Sequence, residues 1–394
     1  MKHICHISTT FNLRSGSARR TSAIIRESVR LGYRVSLVIG RDYDLKESDL
    51  PGVAIYHVAR MVKYVKPGCD CRAPGDIKKI LAEIKPDIVH THLAKGGILG
   101  RIAAKRAGVP CILHTVHGPT FPSRIGLHKR IIYRTMERFC GRMTDRFIFV
   151  GKELQQAYIQ ARVCSCENSH VIRTGRPDKV IDRQALSDSK RQRLRNDVFD
   201  GFGDDFLIVT VGRLVPAKQL EHAVLITAKL RQKGVPARLA IVGKSLLVEE
   251  QGYERRLLQL ARDLQVDGFV VFTGFRTDVP DIMDAADAVL LTSRYEGLPN
   301  VAVEALIAKT PMVAYNVSGI SEVLRHKKTG YIVQQGDVDH AVAGLLFCHS
   351  GGMKLSGQDE RQRHAMLDSF RESTMLQQKM KLYEQIYSSL KCDK

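Results

Sequence analysis

The sequence predicts an α/β protein of two Rossmann-like, doubly wound parallel-sheet domains. Three observations carry that expectation. Short apolar strands alternate with helical segments from the first residues onward, and the same rhythm starts afresh near residue 206. A polar, charged stretch from Asp178 to Asp205 lies between the two runs. Alternation of this kind implies parallel sheet with right-handed crossovers. The 394 residues are too many for one ordinary core and suit two domains of about 200 residues each.

In the first run, residues 2–9 read as a strand, Ala18–Leu31 as a helix and Arg34–Ile39 as a strand. Ile77–Ile84 then leads into a strand at Asp87–His92, and a helix at Gly96–Arg106 leads into Cys111–His114. Gly96, Gly97 and Gly100 do not make a dinucleotide fingerprint; without side chains they let that helix lie close on the sheet. The second run places strands at Phe206–Val211, Arg238–Val242, Phe269–Phe272, Ala288–Leu291 and Met312–Tyr315. Met375–Leu390 is helical in pattern. The domains expected are therefore 1–198 and 199–370, with 371–394 as a terminal helix. Ligands of such open sheets bind beyond the carboxyl ends of the strands.

The most informative stretch is Ser293–Ala308, SRYEGLPNVAVEALIA, which follows the apolar strand. It sets two carboxylates, Glu296 and Glu304, across the start of a helix. Pro299 suits the first helical position, where its fixed φ fits and its missing N–H is not needed. The amides of the opening turn then offer an anion site at the positive helix end. All eight steps from Glu296 to Glu304, if helical, would span roughly 12 Å. That is about the reach from sugar hydroxyls past a diphosphate to a ribose, and a carboxylate accepts two hydroxyl hydrogen bonds at either end. The spacing reads as a nucleotide-sugar site.

Glu-x7-Glu in this setting resembles the retaining glycosyltransferases of family 4, the group 1 glycosyltransferases, which have the GT-B fold. Two further segments support the resemblance: Val211–Lys218 (VGRLVPAK) after the strand FLIVTV, and His114–Gly118 (HTVHG) after PCIL. The resemblance implies two Rossmann-like domains facing each other across a cleft, an acceptor-binding first domain and a nucleotide-sugar-binding second one. The last helix is expected to cross back toward the first domain. Arg213 and Lys218 would hold the donor diphosphate, where fixed cations stabilise the charge that grows on the leaving group. Glu296 would hold the sugar, Glu304 the ribose, and His117 would face the donor sugar. Gly274, Phe275, Gly297, Leu298 and Asn300 are the further donor contacts expected. The first loop departs from the family, which often has two adjacent glycines; Ser15-Gly16-Ser17 carries over only Gly16. Lys244 is another departure, at a strand end where it would meet the donor phosphates. The implied reaction moves a hexose or N-acetylhexosamine, in the commonest case from UDP, to a lipid-linked or growing glycan in cell-envelope polysaccharide synthesis. A soluble small-molecule acceptor is the alternative. No cofactor and no metal are expected beyond the donor substrate itself.

Charge is distributed unevenly. Residues 1–200 hold 37 Lys+Arg against 18 Asp+Glu, whereas residues 201–394 hold 24 against 23. The densest point is 124–146, where Arg130, Arg134, Arg138, Arg142 and Arg146 recur every four residues. On a helix these form a drifting basic stripe, with Ile132, Met136, Phe139 and Met143 on another face. Such a helix packs its apolar face in a core and solvates its arginines, or it sits on anionic lipid, each basic residue contributing about 1 kcal/mol. With so basic a half behind it, an anionic membrane surface is the partner expected for 124–146. Nucleic acid is the rival partner, but no zinc-finger spacing, RRM-type aromatic pair or Trp offers a reading or stacking platform.

The remaining signals are weaker. Cys69, Cys71, Cys164 and Cys166 have C-x-C spacing, short for zinc, and read as free thiols of a reducing compartment. His90, His92, His114 and His117 read as polar strand ends and not as a metal cluster. Gly243-Lys244-Ser245 lacks the glycine that a P-loop needs five residues earlier, where Arg238 stands. No apolar run approaches the roughly 20 residues of a membrane span, and MKHICHIST has no signal-peptide segment. A cytoplasmic protein, peripherally associated with the inner face of the membrane, is expected.

Overall fold

The computed structural model describes residues 2–13, 15–122, 125–199, 205–245, 251–353 and 357–392. They form two compact units, Met1–Gly175 with Glu372–Lys394, and Arg176–Arg371.

The first unit contains strands β1 (His3–Phe11), β2 (Arg34–Tyr43), β3 (Val53–His57), β4 (Ile88–His92), β5 (Cys111–Val116), β6 (Arg146–Phe149) and β7 (Ser169–Val171). Its helices are α1 (Gly16–Arg30), α2 (Pro67–Asp70), α3 (Ala73–Ile84), α4 (Ala94–Arg106), α5 (Leu127–Gly141) and α6 (Lys152–Gln160). The second unit contributes α7 (Asp178–Ile181), α8 (Asp188–Phe199), β8 (Phe206–Val211), α9 (Leu220–Gln232), β9 (Ala237–Val242), α10 (Gln251–Asp263) and β10 (Val270–Gly274). It continues through α11 (Val279–Ala285), β11 (Ala288–Leu291), α12 (Asn300–Ala308), β12 (Met312–Tyr315), β13 (Tyr331–Val333), α13 (Val338–His349) and α14 (Gly357–Asp368). The final helix, α15 (Glu372–Cys392), belongs to the first unit.

Both sheets are parallel and doubly wound, in the orders β3-β2-β1-β4-β5-β6-β7 and β10-β9-β8-β11-β12-β13. Both faces of the first sheet are covered, which is why its central strands are apolar throughout. Side chains alternate between the faces. Ile4, Leu37, Ile88 and Leu113 pack with α1 and α15, while Ile7, Val38, Val89 and Ile112 pack with α3 and α4. The glycines of α4 allow the close approach expected. A Cβ on Gly97 would stand 2.4 Å from His114 Cε1, and one on Gly96 2.7 Å from the Thr9 nitrogen.

The expected boundary at 198/199 is corrected to 175/176. The segment from α7 through α8 belongs to the second unit, where Arg183 between the two helices and the arginines of α8 are paired. Arg183 reaches Asp281 at 2.5 Å and Asp284 at 3.0 Å, and Arg195 reaches Asp287 at 3.0 Å. With that boundary the charge asymmetry persists: 34 Lys+Arg against 16 Asp+Glu in the first unit, 27 against 25 in the second.

The basic stripe is also corrected. Helix α5 ends at Gly141, so Arg142 falls in a turn and Arg146 opens β6, while Arg124 lies outside the described residues. The helix is turned opposite to a core-packed one. Leu127, Ile131, Ile132, Met136 and Phe139 are exposed, whereas Glu137 and Cys140 are fully buried. A buried ion pair, Arg101 to Glu137 at 2.7 Å, holds this orientation from α4. Arg138 donates its Nε to the Ala161 carbonyl at 2.6 Å instead of standing in solvent.

Candidate active site

In the second unit, the loops after β8, β9, β10 and β11 meet at the carboxyl edge of the sheet. Three glycines close the strand ends. The Gly212 N–H donates to the Val242 carbonyl at 3.0 Å and the Gly243 N–H to the Gly274 carbonyl at 2.8 Å. Gly243 has a φ of 142°, and a Cβ there would come within 1.9 Å of the Gly212 oxygen. Only glycine fits, so the backbone is left bare on this edge. Lys218 lays its stem over Gly212, whose Cβ would be 3.2 Å from Lys218 Cε.

The Lys218 ammonium donates to Glu296 Oε1 at 2.5 Å, and the Ser293 hydroxyl donates to the same oxygen at 2.7 Å. Two more contacts tie the loops together: the Thr292 hydroxyl donates to the Lys218 carbonyl at 2.9 Å, and the Arg294 N–H to the Ala217 carbonyl at 2.8 Å. Two residues expected in separate roles, on phosphate and on sugar, therefore hold each other here. Arg213 lies in the β8 loop that leads to Lys218. Gln219, immediately after Lys218, takes a left-handed φ of 47°, a strained turn of the kind found at functional sites.

Helix α12 begins at Asn300, and Pro299 is its N-cap, one position earlier than expected. Glu296 consequently sits in the preceding loop, and the all-helical span to Glu304 does not apply. Seven of the nine residues of α12 are buried, so the helix is anchored by its own apolar surface. Leu298 is buried, and Gly319 packs on Gly297 and Leu298, with a would-be Cβ 2.8 Å from the Gly297 oxygen. Glu304 is paired with Arg176 at 2.9 Å, a partner that sequence reading missed. Phe275, next to the left-handed Gly274, is 42% exposed, and Lys244 is exposed at the end of β9.

The carboxyl edge of the first sheet is different chemistry. Gly16 opens α1, with Ser15 as N-cap accepting from the Ala18 N–H at 3.3 Å. His117, just past β5, shares a hydrogen bond through Nε2 with His92 Nδ1 at 3.3 Å. His92 Nε2 in turn meets His6 Nδ1 at 3.0 Å. Period-two alternation explains the row, because in parallel register His6 stands beside His90 and Ser8 beside His92, on the face covered by α15. Helix α15 sets Lys379 and Tyr383 one turn apart on this row. Tyr383 Oη meets His90 Nδ1 at 2.6 Å, and Lys379 Nζ donates to Thr115 Oγ1 at 3.2 Å. His114 points to the other face, where its Nδ1 meets the Thr91 hydroxyl at 2.8 Å.

Burial keeps these rings neutral. It lowers His6 to about 3, aided by the nearby Lys379 charge, and holds His117 well below the usual range, aided by Arg20 and Lys379. Burial, then Arg20, brings Lys379 down to about 7. Among the described residues, His6, His90 and His92 are the group whose ligand atoms, all within 4.8 Å of one another, could hold a metal ion. His90 and His92 stand at the end of β4, and His6 joins them across the sheet. Both nitrogens of His90 are engaged, by Tyr383 and Thr115, and the Lys379 charge opposes a cation. The four C-x-C cysteines form no such group among the described residues. Sequence reading missed His6 and Lys379; the usable signal was one lysine inside the apolar stripe of the last helix.

Comparison with known proteins agrees with this geometry. A model of the 4-like glycosyl transferase domain matches residues 15–175, and one of the group 1 glycosyl transferases matches residues 195–356. An Escherichia coli UDP-Gal:alpha-D-GlcNAc-diphosphoundecaprenol alpha-1,3-galactosyltransferase is 29% identical over 280 residues, 70% of each chain. The capsular polysaccharide biosynthesis glycosyltransferase CapM of Staphylococcus aureus is 24% identical over 67% of this chain and 69% of its own. In fold, sucrose-phosphate synthase of Thermosynechococcus elongatus superposes with a TM-score of 0.81 at 18% identity, covering 99% of this chain and 100% of that one. Anabaena HepE, solved with UDP and glucose, gives 0.77 at 21% identity, over 98% and 99%. Two parallel-sheet α/β domains with GT-B neighbours and both halves matched by their models lead to one conclusion: the chain belongs to the group 1 glycosyltransferases.

Proposed function

We propose that this chain moves a hexose or N-acetylhexosamine from a UDP-sugar, with retention of anomeric configuration, to a lipid-linked or growing glycan in cell-envelope polysaccharide synthesis. The observation that carries the reading is Lys218 held on Glu296 at the bare carboxyl edge of the second sheet. A diphosphate arriving there takes the lysine's charge and frees the carboxylate for sugar hydroxyls. Arg213 and Lys218 then stabilise the charge that develops as the sugar–phosphate bond breaks, so the reading requires no metal ion. Glu304 exchanges Arg176 for ribose hydroxyls. Gly274, Phe275, Gly297, Leu298, Asn300 and Lys244 line the same edge as donor contacts.

The acceptor assignment draws on the E. coli relative, whose name gives a sugar on a diphosphate-linked polyprenol. It also draws on α5, which turns Leu127, Ile131, Ile132, Met136 and Phe139 outward from the more basic unit. A helix with an outward apolar face and flanking Lys129 and Arg130 suits shallow insertion at an anionic lipid surface. No described helix is long and apolar enough to cross a membrane. In this reading the enzyme works peripherally at the inner face. A thermal-shift panel of nucleotide-sugars tests the donor: the true donor at 100 times its dissociation constant should add about 2.7 kcal/mol. NMR of the product then reads the anomeric configuration, and an inverted product contradicts the retaining assignment.

A further inference from the structure

On the α15 face of the first unit, Lys379 is a buried ammonium with no acidic partner among the described residues. Lys379 is 4% exposed, and its ammonium makes one hydrogen bond, to the Thr115 hydroxyl. Among the described residues no carboxylate pairs with it. The groups around it are Arg20 from α1, His6 from β1, His90 and His92 from β4, and His117 after β5, with Tyr383 a turn along its own helix. None of these is an anion at neutral pH. Arg20 is itself 9% exposed and folds its guanidinium over Gly16, so that a Cβ there would meet Nη1 at 2.9 Å. A buried ammonium such as that of Lys379 is costly to keep unless an anion compensates it.

Within this row, two buried ring nitrogens also lack partners among the described residues: His117 Nδ1 and His6 Nε2. The first can be a donor without disturbing the row. If His6 Nδ1–H donates to His92 Nε2 and His92 Nδ1–H donates to His117 Nε2, the proton of His117 rests on Nδ1. An ammonium, a guanidinium and an imidazole N–H then converge beside the first turn of the fifteen-residue helix α1, whose N-terminal end is positive.

We infer that Lys379, Arg20 and His117 form a binding site for a phosphate or diphosphate group, the one that the acceptor carries between its first sugar and its lipid. This rests on the lipid-diphosphate acceptor of the proposed function. The donor's diphosphate has the same chemistry and is the other source. The charge that opposes a metal cation at the histidine row favours this anion.

Calorimetric titration of the full chain with inorganic pyrophosphate, alone and with saturating UDP, tests the site. Wild-type protein binds pyrophosphate in the presence of UDP, and the heat varies with buffer ionisation enthalpy because Lys379 takes up a proton. Lys379→Met weakens pyrophosphate by about 10- to 100-fold, the size of one lost charge-assisted hydrogen bond, and leaves UDP affinity unchanged. Arg20→Gln gives the same pattern and serves if Lys379→Met does not fold. Competition between pyrophosphate and UDP that disappears in Lys379→Met assigns the same site to the donor's diphosphate. Equal pyrophosphate affinity in wild type and both folded variants, or no binding by the wild type, overturns the inference. In that case intact UDP binding shows that the donor reading survives, whereas loss of UDP binding as well counts against the glycosyltransfer reading.

Discussion

The carboxyl edges of the two sheets are built alike and charged differently. In the second unit two cations are matched with carboxylates, Lys218 with Glu296 and Arg176 with Glu304. In the first, an ammonium and a row of imidazoles are buried with no carboxylate among them in the described residues. The difference separates two ways to bind a phosphate. A matched edge stays stable when empty and must exchange partners to bind, so binding is coupled to rearrangement of the carboxylates. An unmatched edge gives up stability when empty and gains it back when an anion arrives. The net charges of the units repeat the contrast on a larger scale.

The contrast can be broken from either side. The largest effect should follow from Arg101→Met, which leaves Glu137 buried and unpaired; such a loss typically costs about 3–5 kcal/mol. Denaturant unfolding checks it, and an unchanged midpoint would show that the pair does not hold α5. At the carboxyl edge of the second sheet, Lys218→Ala or Arg213→Ala should lower kcat by about 10²-fold or more, on the order of 2.7–4 kcal/mol, with the fold intact. Full turnover in either variant removes its assigned role.

Finer tests separate the matched pairs. Glu304→Ala should weaken binding of UDP alone, while Glu296→Ala should leave that binding nearly unchanged and impair transfer. Equal losses measured by calorimetry would contradict this division. The unmatched edge should show itself in acid. His6 titrates at about 3 in the folded chain but near 6.5 when unfolded, because burial disfavours its charged form. Between those values the unfolded chain binds more protons, so stability should fall as pH drops from 6.5 toward 3. His6→Asn should flatten that limb; an unaltered slope would mean that the row contributes nothing. The smallest effect is expected at α5, where Ile132→Ser with Phe139→Ser should weaken binding to anionic vesicles. The electrostatic part should fade with salt, screened beyond about 8 Å at physiological ionic strength.

Much of the fold was legible because central parallel strands are buried on both faces and read as apolar runs, as FLIVTV does. The four-residue interior strand β6 was missed behind the arginine run. The strands β3, β7 and β13 were not legible. They are sheet edges of five, three and three residues, too short to show a pattern. The candidate donor site was legible as Arg213, Lys218, Glu296 and Glu304 because those side chains lie within two local segments. Its pairing was not, since the partner of Glu304 is Arg176, far away in the chain. For α5 the periodicity gave two faces but not which one turns inward. A single glutamate, Glu137, decides that through Arg101 on another helix. The histidine row was half visible: His90 and His92 are adjacent in pattern, but His6 joins them only through strand pairing and Lys379 only through α15.

Transfer measured in vesicles addresses the whole reading most directly. The full chain is given a labelled UDP-sugar and a diphosphate-linked polyprenyl sugar, embedded either in anionic or in neutral vesicles. Labelled lipid should form with release of UDP, faster on anionic vesicles, and should stop in Lys218→Ala. UDP-sugar consumption that labels only a soluble sugar, at a rate indifferent to vesicles, would contradict a membrane-borne acceptor.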